Sequence, residues 1–164
     1  MSQNSLPADD IRSLWKNIRI MCLAMIVMSS AFLLVALVIC EVSGPVRPGI
    51  NEYKKWLLPA LAVITFLVFL FARARLQRGI LQLREDGGTL SQKLLAYRVV
   101  MVKYFAAIEW VVILGTILFL STADFSYLVF SAIIIGFMAA NLPRKNRVTD
   151  LLQLDSVQSA ELNQ

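Results

Sequence analysis

The sequence predicts an all-α polytopic membrane protein, an antiparallel bundle of four transmembrane helices. Three observations carry this expectation. Four apolar runs each approach the ~20 residues that cross a ~30 Å hydrocarbon layer. Hydrophobic residues make up 58% of the 164 and charged residues 16%, with a mean hydropathy of +0.68. One soluble core of this size does not hide that much apolar surface, and disorder needs the opposite composition. Finally, the basic residues are sorted between alternate connections.

The elements follow in order, the whole chain (1–164) forming a single membrane domain. In residues 1–17, Ile11, Leu14 and Trp15 share a helical face that Ile18 continues, beside Arg12 and Lys16, with Arg19 beyond. That pattern suits an interfacial helix leading into the bilayer. The first span, residues 18–40, includes the uncharged run Ile20–Cys40. It is too long for a signal-peptide core and no small-x-small cleavage site follows it, so it is expected to be retained. Leu37-Val38-Ile39-Cys40 lacks the small residue that a lipoprotein cleavage site places before its cysteine. Gly44-Pro45 and Pro48-Gly49 punctuate an irregular outer loop, residues 41–55.

The second span, residues 56–72, is short, but Trp56 can anchor in one interface while Arg73 and Arg75 snorkel at the other. Pro59 is expected in its first turn, where a missing N–H costs little. Residues 73–98 read as a cytoplasmic helical loop. Leu76, Ile80 and Leu83 continue a stripe at i, i+4, i+7, Gly87-Gly88 stops the helix, and Thr89-Leu-Ser-Gln92 fits a capping box that starts the next. The third span covers 99–120. The turn at 121–124 is so short that the third and fourth helices must form an antiparallel hairpin. Asp124 and Pro143 limit the fourth span, 125–142, and 143–164 is the tail.

Lysines and arginines set the orientation. Arg12, Lys16 and Arg19, six residues between the second and third spans, and Arg144, Lys145 and Arg147 share one side in any four-span arrangement. Only Arg47, Lys54 and Lys55 fall opposite. Twelve against three predicts a multi-pass protein of the cell (inner) membrane with both termini cytoplasmic. The net charge of +5 is then explained by anionic lipid headgroups at that face rather than by nucleic acid.

Glu109 is the most informative position for function. It lies at the centre of the third span, too deep to snorkel, where an acidic residue costs roughly 2.5–3.5 kcal/mol to insert. It is therefore expected to face a partner or water. Ser29 and Ser30 in the first span, Thr65 in the second and Ser131 in the fourth stand at similar depth. An intramembrane polar layer around Glu109 follows, serving either to hold the bundle together or to carry a proton, cation or polar substrate. Lys103 is offset from Glu109 by about 120° around the helix, so snorkelling accounts for it better than an ion pair.

Ala132, Gly136 and Ala140 form a small-residue seam that allows close helix approach. The expectation favours internal packing over a homo-oligomer or a membrane-protein partner. Met21, Met25 and Met28 recur at helical spacing beside Cys22 and read as packing residues rather than Cu(I) ligands. Cys22 and Cys40 are about 27 Å apart along one helix and cannot pair. The chain has no histidine, P-loop, G-x-S-x-G or H-E-x-x-H. No catalytic residue, cofactor or metal is therefore expected. The sequence-based reading is a non-enzymatic protein acting through assembly or partner binding, with a small transporter using Glu109 as the alternative.

Gln92-Lys-Leu-Leu-Ala-Tyr-Arg98, Ile108-Glu109 in an apolar helix, Pro143-Arg-Lys-Asn-Arg147 and Asp150-Leu-Leu-Gln-Leu154 together resemble a group of small uncharacterised bacterial four-span membrane proteins. The resemblance covers about 40% of the chain, from residue 90 to 154. It implies a four-span fold with an intramembrane Glu and brings no established activity. Members of that group often follow the Glu with Gly-Pro-Ala, whereas Trp110-Val111-Val112 stands here. A fainter similarity is to the ion-binding helix of rotary ATPase proteolipid subunits. Their glycine-dense partner helices have no counterpart in Ile20–Cys40.

Overall fold

Apolar sequence long enough to close its own i→i−4 hydrogen bonds becomes helix throughout this chain, and the helices run well beyond the apolar runs. A computed structural model describes residues 8–46, 54–85, 89–144, 148–149 and 151. Among them are α1 (Ala8–Ser43), α2 (Lys54–Glu85), α3 (Leu90–Thr122) and α4 (Phe125–Ala140). The first three are long and apolar enough to cross a membrane, and α4 is a shorter apolar helix of 16 residues. At 1.5 Å per residue, the 36, 32 and 33 residues of α1, α2 and α3 rise about 54, 48 and 50 Å. That is roughly 20 Å more than a hydrocarbon layer.

The excess is gathered at one end. Ile11, Trp15 and Ile18 of α1, Leu83 of α2, and Leu90, Leu94 and Tyr97 of α3 belong to a single buried cluster, which Val148 closes. The stripe expected to lie on the membrane surface is thus part of α1 itself and packs against protein. Ile11, Trp15 and Ile18 are buried while Arg12, Lys16 and Arg19 are exposed. An amphipathic stripe fits an apolar protein face as well as it fits a lipid surface, and the ends of α2 and α3 supply that face. Ile80 and Leu83 are likewise buried, so the stripe beyond the second span does extend α2. Helix α2 begins at Lys54, which places Pro59 inside the helix rather than in its first turn.

Helix α3 is the hub. It packs against α1, α2 and α4, and α1 also packs on α4. Phe105, Ile108, Val111 and Val112 of α3 are almost wholly buried. Helix α2 touches α4 through Phe69 and Phe137, whose rings meet edge-on at 4.8 Å. At its start, α3 is capped where the sequence predicts. The Thr89 N–H donates to Gln92 Oε1 at 3.2 Å, and the Thr89 hydroxyl pairs with that of Ser91 at 3.1 Å.

The α3–α4 hairpin is tighter than expected. Only Ala123 and Asp124 lie between the helices. Ala123 takes the left-handed conformation (φ 53°) and its N–H donates to the Phe119 carbonyl at 2.7 Å. Asp124 then caps α4, accepting from the Ser126 N–H at 3.0 Å. Gly87-Gly88, Pro48-Gly49 and the tail cations Lys145 and Arg147 lie outside the described residues.

Candidate functional site

Glu109 sits on α3, half-buried, opposite Ser29 of α1. The buried Ser29 hydroxyl donates to Glu109 Oε1 at 3.2 Å. Ser30 does not join them. Its hydroxyl turns back to the Ile26 carbonyl at 2.8 Å. Thr65 does the same on α2, donating to the Leu61 carbonyl at 2.7 Å. The expected polar layer is therefore reduced to one hydrogen bond between α1 and α3. The reason is local: a helical Ser or Thr always has the carbonyl four residues back within reach, and matching depth says nothing about direction around the helix axis.

Ser131 is wholly buried, and its hydroxyl has no hydrogen-bond partner among the described residues. It rests against Gly115 of α3, where a Cβ would collide with Ser131 Oγ. This is the close approach between α3 and α4. Sequence reasoning missed it, although a lone glycine two turns before the end of α3 was a signal for it. The seam singled out instead faces the other way. Ala132, Gly136 and Ala140 are exposed, and a Cβ at Gly136 would meet nothing within 4 Å. Internal packing of that seam is not what the fold uses, because Tyr127, Ser131, Ile134 and Met138 form the buried face of α4.

The remaining reactive side chains are scattered. Cys22 is buried in the main core, while the Cys40 thiol donates to the Phe119 carbonyl at 3.7 Å. Met21 accepts from Arg98 Nε at 3.1 Å, and Met28 is exposed, so the methionine stripe does not converge on one point. Lys103 is exposed. It borders a cleft of about 990 Å³ between α2 and α3, which Arg75 and Arg78 also line. Comparisons with family models, with curated proteins and with solved structures find no match to this chain.

Proposed function

We propose that the chain is a four-span protein of the cell (inner) membrane, with both termini and the 73–98 segment in the cytoplasm, acting without catalysis through assembly or partner binding. The three long apolar helices support the spans. Helix α4 rises about 24 Å, enough to cross with Asn141 and Leu142 at its end. The gathering of Arg12, Lys16, Arg84 and Lys93 at one end of the molecule supports the orientation and a face toward anionic lipid headgroups.

One observation carries the assembly reading. Ala132, Gly136 and Ala140 line the outward face of α4, where small residues let a second helix come close. Light scattering of the full chain in mild detergent, wild type against Gly136→Leu, tests it. The expected result is an oligomer that Gly136→Leu dissociates. A wild-type monomer whose co-purifying membrane proteins are unchanged by Gly136→Leu would remove the proposal.

The transport alternative needs a polar route through the bundle. The single Ser29–Glu109 contact supports it less well than it supports a structural hydrogen bond. Proteoliposome flux of protons and monovalent cations, comparing wild type with Glu109→Gln, is expected to show no difference. A flux abolished by Gln would put the alternative first.

A further inference from the structure

The cleft between α2 and α3 joins an apolar slot to a cluster of cations, and it is built from identifiable causes. The two helices approach closely at Gly79, where a Cβ would stand 2.9 Å from Val100 Cγ2. Beyond that contact, away from the helix ends, the facing residues include Ala72, Ala106 and Ala107. Their side chains are too small to close the gap between two helix backbones. Leu67, Phe71 and Trp110 wall the far end of the opening, and Phe71 and Trp110 are largely exposed. At the near end stand Arg75, Arg78 and Lys103, all exposed. No acidic residue lines the cleft, and no ion pair to these three cations is found among the described residues.

The dimensions fit one kind of ligand. From Arg78 to Leu67 the helix rises about 16 Å, close to the ~15 Å of a single hydrocarbon leaflet. Arg78 thus stands where a leaflet's phosphates lie, Arg75 and Lys103 stand about 12 and 10 Å from Leu67 and Trp110 on stems long enough to reach the same level, and Trp110, next to Glu109, stands near the midplane. A small soluble anion would leave the apolar slot unused, and an uncharged lipid would leave three cations without a partner.

We propose that this cleft is a binding site for one anionic phospholipid, its phosphate held by Arg75, Arg78 and Lys103 and one acyl chain lying in the slot toward Trp110. The site rests on the four-span reading and narrows its general attraction to anionic lipid to one place on the molecule.

Quenching of Trp110 by brominated lipid tests this, in the full-length chain carrying Trp15→Phe and Trp56→Phe. The protein is reconstituted in phosphatidylcholine vesicles in which one component, phosphatidylglycerol or phosphatidylcholine, carries bromine near the chain end at equal mole fraction. Each juxtamembrane cation is worth about fivefold in local preference, so brominated phosphatidylglycerol should be favoured about fivefold or more. Replacing Arg75, Arg78 and Lys103 by Gln should bring the two lipids to parity. Neutralising Arg144, Lys145 and Arg147 should leave the preference intact. Ala107→Leu fills the slot, keeps every cation, and should also lower the preference.

Parity in the Trp15→Phe, Trp56→Phe protein overturns the proposal without any further variant having to fold. So does a preference that survives the triple substitution or Ala107→Leu, or one erased by millimolar inorganic phosphate, which would mark a site for a free anion. Flotation of the same vesicles separates the two layers of inference. Protein that fails to float contradicts the four-span reading, whereas floating protein without headgroup preference contradicts only the lipid site.

Discussion

Glu109 and Ser29 tie α1 to α3 at mid-depth by a single hydrogen bond, so its worth can be measured directly. Such contacts in membrane proteins average ~0.6 kcal/mol by double-mutant cycles and reach ~1–2 kcal/mol in model peptides. Glu109→Gln keeps an acceptor for the Ser29 hydroxyl and should unfold within about 0.5 kcal/mol of wild type. Glu109→Leu removes that acceptor, leaves the Ser29 hydroxyl to turn back to its own helix, and should cost about 0.6–1 kcal/mol. A cycle of Ser29→Ala with Glu109→Leu, read by unfolding in mixed micelles, should return a coupling near 0.6 kcal/mol. Zero coupling would mean that the contact does not hold the helices. A second test compares two glycines. Gly115→Ala drives a methyl into Ser131 Oγ and should cost about 1–3 kcal/mol, while Gly136→Ala meets open space and should be tolerated. The position of Glu109 along α3 was legible in the sequence because it is set by counting along a helix. The residue that Glu109 meets was not, because Ser30 and Thr65 satisfy their hydroxyls on their own helices.

At the scale of the element, helix type and the starts of α3 and α4 were the legible features, since both depend on local chemistry. Thr89 with Gln92, and Asp124 before an apolar run, marked starts that the structure uses. The faces were not legible. In a chain this apolar, hydropathy does not separate a side chain that meets lipid from one that meets protein. Small residues on opposite sides of α4 therefore read alike, and the exposed Ala132–Gly136–Ala140 line reads as the packing seam while the buried Ser131 reads as part of the polar layer. The α3–α4 turn offers a test at this scale. A left-handed Ala123 carries about 1–2 kcal/mol of steric cost that glycine avoids, less glycine's own entropic penalty of roughly 0.5–1 kcal/mol. Ala123→Gly should therefore stabilise the chain modestly, and Ala123→Val should destabilise it. The order of thermal midpoints, Gly above Ala above Val, checks this.

For the whole molecule, the decisive question is which end faces the cytoplasm. Cysteines introduced at Ser5, Asn51 and Gly88, with Cys22 and Cys40 replaced, can be probed in intact cells with an impermeant thiol reagent. The basic asymmetry predicts labelling at Asn51 alone. Labelling at Gly88 before lysis would invert the topology. The asymmetry was read from sequence by position along the chain. Its three-dimensional form was not, because only the structure shows the basic ends of α1, α2 and α3 closing on apolar residues that continue the main core.

The hub position of α3 also has a consequence in time. Helices α1 and α2 lean on α3 rather than on each other, yet both leave the ribosome before it. At 5–20 residues per second, synthesis from Glu85 to Thr122 takes about 2–7 s. Throughout that interval two membrane-length helices wait without the neighbour that covers Ser29 and Leu83. This is the window in which an insertion chaperone would have to shelter the nascent chain, and in which a quality-control protease would find it most vulnerable. A ribosome stalled with Glu85 just clear of its exit tunnel should expose a protease-sensitive pair of helices, and one stalled after the α3–α4 hairpin has cleared it should not.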